Sequence, residues 1–133
     1  MIVAIALALE VAQLIAPGRH SVIDWAALPM LPYRVAPEMS APVHQYVARE
    51  TSLRGCPIAR SAEGKPVVQA DVAILVSEEG AIRVAIPRAI NCPTVEQFAA
   101  GFVQSSARGN LRNSNLRSEG GWYRATLIFT WDE

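Results

Sequence analysis

The stretch KPVVQADVAILVSEEGAIRVAIP, residues 65–87, decides the fold. Val68, Ala70, Val72, Ile74 and Val76 alternate with Val67, Gln69, Asp71, Ala73 and Leu75. Successive strand side chains point to opposite faces, so this period of two predicts a strand with one apolar face. Ser77-Glu78-Glu79-Gly80 supplies a turn, with Gly80 free to take the positive φ of a short hairpin. The return strand runs from Ala81 to about Ile86, with Ile82, Val84 and Ile86 facing one way and Ala81, Arg83 and Ala85 the other. Pro87 ends the pairing because it has no N–H to donate.

C-terminal to the hairpin, Pro93 suits the first position of a helix, where an N–H would be unpaired anyway. Val95, Phe98, Ala99, Phe102 and Val103 fall on one helical stripe. Phe98 and Phe102, the largest of these, are expected to be the main contacts with the sheet. Gly101 inside the helix suggests a close approach to the sheet. Glu96 and Arg108 suit the helix dipole, and Gly109-Asn110 is a natural stop. Leu111 to Gly121 is polar and reads as a mobile loop. Trp122 to Trp131 alternates again, with Tyr123, Ala125, Leu127, Phe129 and Trp131 on the apolar face. The expectation is an α+β two-layer domain, a three-stranded antiparallel sheet of order 2-1-3 packed under one main helix (β-β-α-β). Its crossover through the helix is right-handed.

N-terminal to the hairpin the signal weakens. We divide the chain into an apolar segment 1–18, a proline-rich and poorly readable region 19–63, and a domain 64–133. Met1 to Ala16 is almost wholly apolar, broken by Glu10 and Gln13 and stopped by Pro17-Gly18. Its length is that of a secretory hydrophobic region, without the basic start. Two readings stand: a signal or anchor segment, or a buried helix. Pro29, Pro32, Pro37 and Pro42 predict extended backbone, read as a linker whose Met30, Leu31, Tyr33, Val35 and Met39 lie along a partner or along the domain. Val43, Tyr46 and Val47 have helical spacing.

The composition is globular: 51% hydrophobic and 18% charged, with 12 basic and 12 acidic residues giving no net charge. The balance argues against a dedicated nucleic-acid binder. Catalytic chemistry needs placed acids, bases or nucleophiles. The two histidines, His20 and His44, lie in the unpatterned first third; Glu78 and Glu79 belong to a solvated turn. No phosphate loop, zinc-ligand spacing or cofactor is indicated. Cys56 and Cys92 either pair in an oxidising compartment or stay as buried thiols. Cys92, just before a helix N-terminus, is also placed to be a reactive thiol. A thiol-dependent redox or transferase protein using Cys92 is therefore the alternative to a non-enzymatic role, with a purely structural envelope component as a third reading.

Gly64-Lys65-Pro66-Val67-Val68, the strand Ala70 to Val76 and Glu79-Gly80-Ala81-Ile82 together resemble the C-terminal domain of the TonB family. Cys92-Pro93-Thr94-Val95-Glu96-Gln97-Phe98-Ala99 is similar to that family's helix start, and Gly121 to Phe129 to its last strand. The resemblance implies a periplasmic module of Gram-negative bacteria, inner-membrane associated through its N-terminus. Such a module binds extended peptides or proteins, among them outer-membrane transporters, and the expected role is transport-related rather than enzymatic. The compartment that the resemblance implies and the flanking of the hairpin by Cys56 and Cys92 make a disulfide between them the working expectation.

The expected binding edge is the last strand, which has no proline to interrupt its ladder. Trp122, Arg124, Thr126 and Thr130 would contact the added strand, with Arg124 meeting an acidic partner residue. Two alternatives leave that edge covered, either by the Pro29 to Pro42 segment or by a second copy in a homodimer.

Overall fold

The computed structural model describes residues 22–116 and 121–133. Over the described residues the fold is α+β, with two α-helices and a small four-stranded antiparallel sheet. After a short 3-10 turn at Trp25–Ala27, α1 spans Ala41–Arg54 and β1 is the two-residue Ala59–Arg60. The hairpin follows as β2, Pro66–Val76, and β3, Ile82–Pro87. Helix α2 spans Pro93–Ala107, a second 3-10 turn covers Asn113–Asn115, and β4 spans Gly121–Thr130. The apolar run at 1–16 lies outside the described residues. No described helix is long and apolar enough to cross a membrane.

The long strand β2 organises the sheet. β4 pairs antiparallel with it from Val67↔Thr130 to Val76↔Gly121. On the other edge β3 pairs from Val72↔Pro87 to Val76↔Ile82, and β1 pairs at Ala59↔Val67 and Arg60↔Pro66. β1 is the addition to the expected three. Only two residues long, it has no alternation to read. Helix α2 packs over β2 and β3, and α1 packs against α2 and β4.

Val68, Ala70, Val72, Ile74 and Val76 of β2 and Tyr123, Ala125, Leu127 and Phe129 of β4 face the helices and are buried. Burying a side chain such as Phe129 or Ile74 stabilises by about 1.5–3 kcal/mol each. Gly80 takes φ +85°, as the hairpin turn requires. The return strand departs from its expected alternation. A bulge opposite Leu75/Val76 adds one residue to β3, so Val76 faces Ile82 but Leu75 faces Val84. An extra residue reverses every side chain beyond it. Ile82 and Ala85 therefore pack on the core, while Val84 and Ile86 turn to the uncovered face.

Helix α2 starts as expected, with Pro93 in its first turn and Cys92 as N-cap. Glu96 Oε2 accepts from the backbone N–H of Ile90 and of Cys92, both at 3.0 Å. Its buried face is Val95, Ala99, Ala100, Val103 and Ala107, rotated from the expected stripe. Phe98 and Phe102 sit at the margin rather than at the centre of the sheet contact. Phe98 instead fills the seam between helices, 4.8 Å from the Tyr46 ring and 6.3 Å from that of Phe129. Gly101 is exposed, and a Cβ there would meet nothing within 4 Å, so the expected close approach does not occur.

Of the two readings of the proline-rich stretch the structure shows the second, and it alters the reading of the loop after α2. The proline-rich stretch lies along the domain: Leu31 is buried in the core, with Tyr33 and Met39 packed against it. Tyr33 bridges Leu111, which is also buried, so the start of the expected mobile loop is part of the core. Cys56 and Cys92 are at disulfide distance, S–S 2.10 Å with Cα atoms 5.4 Å apart. They join the exit of α1 to the entry of α2.

Candidate functional site

The outer edge of β4 is where the sheet's hydrogen-bonding capacity is incompletely used. Arg124 defines which groups point outward. Its N–H donates to Pro29 O and its C=O accepts from Leu31 N, both at 2.8 Å. Met30 thereby forms a parallel bridge with Arg124. Backbone groups alternate along a strand, so the N–H and C=O of Thr126, Ile128 and Thr130 share that outward side.

Pro32 then ends the cis pairing, because it has no N–H with which to continue a ladder. The chain turns away, with Tyr33 N donating to Leu31 O at 3.0 Å. At the far end of the edge, Thr130 N–H donates to His44 Nδ1 at 3.2 Å. His44 is held in place edge-on to Phe129, with ring centroids 6.2 Å apart. Between these two closures the outward backbone groups of Thr126 and Ile128 meet no partner among the described residues.

That open stretch faces a groove of about 280 Å³. Its other wall is Met30, Leu31, Tyr33, Pro37 and Met39, and its one charged lining residue is Arg124. The wall is fixed by side-chain and backbone bonds. Asn110 accepts from Val35 N at 2.9 Å and donates to Val35 O at 2.7 Å; Tyr33 Oη and Ser106 Oγ are 3.3 Å apart. Burial raises the Tyr33 pKa above the ordinary phenol value, and the hydrogen bond with Ser106 offsets this in part. The groove thus offers unpaired backbone donors and acceptors beside an apolar wall. Those are the two elements with which an extended segment is recognised.

The four residues expected to contact a partner are separated by the structure. Thr126 lies on the open stretch, but its hydroxyl is engaged with Asp71 at 2.6 Å. Arg124 has its backbone taken by Pro29 and Leu31, and its Nη1 donates to Trp25 O at 3.2 Å, so its position is set within the chain. Thr130 is closed by His44, and its Oγ1 donates to Pro66 O at 2.9 Å. Trp122 lines a different cavity, with Leu28 and Ile86 on the uncovered face. The expected open edge from Trp122 to Trp131 therefore narrows to Thr126 and Ile128. Ile128, Pro37 and His44 were not singled out as site residues in the sequence. Ile128 falls on the outward-facing period of β4 and was readable there; the other two had no pattern to mark them.

With Cys56 and Cys92 bonded, neither carries a thiolate, so thiol chemistry at Cys92 would require the reduced protein. Among the described residues no group of three His, Cys, Asp or Glu is placed to hold a metal. No family model, curated protein or solved structure matches the chain.

Proposed function

We propose that the chain is a non-enzymatic peptide-binding module of the cell envelope. It takes up an extended partner segment at the edge of β4, between Arg124 and Thr130. The observation that carries this reading is the pair of unpartnered outward backbone positions, Thr126 and Ile128, facing the apolar wall of Met30, Tyr33 and Met39. Backbone bonds to such an edge give affinity with loose sequence demands, and the wall favours an apolar residue at alternate positions of the partner. The short length of the open stretch, closed at each end, favours a local contact of a few residues over a long added strand.

The TonB-like pattern supports a periplasmic setting and a transporter peptide as partner. The paired cysteines are in keeping with it, since structural disulfides persist in oxidising compartments. Amide chemical-shift mapping tests the reading. Titration with a short acetylated peptide of alternating Val and Thr is expected to move the amides of Thr126, Ile128 and the Met30 to Met39 wall. Shifts confined to α2 or to the β2–β3 turn would exclude this site.

A further inference from the structure

We propose that the face of the sheet turned away from the helices rests on a lipid bilayer, with Trp122 and Ile86 at the interface. The face is built by the bulge in β3, which turns Val84 and Ile86 away from the core. Trp122 and Ile128 of β4 project to the same side. The segment entering the domain crosses this face and leaves a cavity of about 400 Å³. Val22, Ile23, Ala27, Leu28, Ile86 and Trp122 line it, with Asp24 the one charged side chain. Val22 is 86% exposed, and Ile86 and Val84 are exposed as well. Exposed aliphatic side chains gathered around one apolar cavity mark an interaction site rather than ordinary surface scatter.

The chain's own connectivity chooses the occupant. The apolar run ends at Ala16, and five residues, 17–21, join it to Val22 on the rim of the cavity. The six steps from Ala16 to Val22 span at most about 22 Å when fully extended. A bilayer that receives the run at 1–16 would therefore lie within that distance of the face that carries Val22, Ile86 and Trp122. A bilayer meets both demands at once. The face has the chemistry of an interfacial contact: an indole beside aliphatic side chains. Exposed Arg83 on β3 supplies charge for anionic headgroups. The lipid contact is centred on Val22, Ile86 and Trp122, apart from the groove lined by Met30, Leu31 and Tyr33.

The test uses the full chain in vesicles of phosphatidylcholine with a minority of phosphatidylglycerol, with and without brominated acyl chains. Bromine quenches tryptophans at the interface. In a Trp25→Phe background, which removes the other indole on this face, the expected result is quenching that Trp122→Phe largely removes and Trp131→Phe leaves in place. Ile86→Asp should likewise lose most of it while the protein still floats with the vesicles. Quenching unchanged by Trp122→Phe would overturn the proposal, as would an absence of quenching or of flotation. So would an Ile86-dependent dimer seen by sedimentation without lipid, which would assign the face to a second copy.

Discussion

Thr126 Oγ1 donates a 2.6 Å hydrogen bond to Asp71 Oδ1, directly across the strand pair at the middle of the sheet. Asp71 is 5% exposed. Its other carboxylate oxygen accepts from Arg88 Nη1 at 3.3 Å, and its backbone O accepts from Arg88 N at 2.8 Å. A carboxylate this buried depends on each partner, whereas Arg88 is half exposed and its ion pair is worth at most about 1 kcal/mol. Thr126→Val should therefore destabilise by about 1.5–3 kcal/mol, the scale of a hydrogen bond to a charged group. Arg88→Met should cost less. Urea midpoints compare the two. Because Thr126→Val keeps the backbone N–H, peptide binding below its transition should stay near that of the parent.

The Cys56–Cys92 link closes a loop with a sequence separation of 36 and ties the two helices over a small core. Chain entropy puts its contribution at roughly 3–4 kcal/mol. Cys92→Ala with Cys56→Ala, or full reduction, should lower stability by about that much. Intact mass after alkylation without reductant should show no modified thiol in the parent. Two alkylated cysteines in protein recovered from an oxidising compartment would contradict the pairing.

The strand periods of β2 and β4 and the start of α2 were legible because buried side chains impose them. The faces of Val84 and Ile86 were not, because one extra residue at the bulge reverses the alternation without changing composition. Helix α1 was hard to read for a different reason: only Val47 and Thr51 on it are buried, so most of its surface shows no apolar stripe. The groove depends on the backbone of Pro29 and Leu31 meeting Arg124. Backbone hydrogen bonds leave no side-chain period, so sequence named the edge strand and the covering segment but not where one stops covering the other.

Gly101 lies on the exposed side of α2 with room for a Cβ. Gly101→Ala should stabilise by up to about 1 kcal/mol, the difference in helix propensity. Its thermal midpoint should rise. A fall would show that the glycine serves a contact on that face.

Tyr33 holds its proton more tightly in the folded chain than in the unfolded one, because burial raises its pKa above 10.0. Its stability contribution is fully present below the unfolded value and is lost as pH rises through the folded one. The parent should lose more stability than Tyr33→Phe across the alkaline range above about pH 10. Parallel alkaline denaturation of the two proteins measures this. Equal losses would place the Tyr33 hydroxyl in water rather than in the groove wall.

Ile128→Pro gives the most direct test of strand addition at the β4 edge. The Ile128 N–H points away from β2, so proline removes an outward donor without breaking the β2–β4 ladder, as natural edge prolines do. Titration calorimetry with the alternating Val and Thr peptide compares the variant with the parent at a temperature where circular dichroism shows both folded. The account predicts a roughly tenfold or greater loss of affinity, through one lost backbone bond and the proline ring in the path of the added strand. A folded Ile128→Pro protein that binds the peptide as tightly as the parent would contradict it.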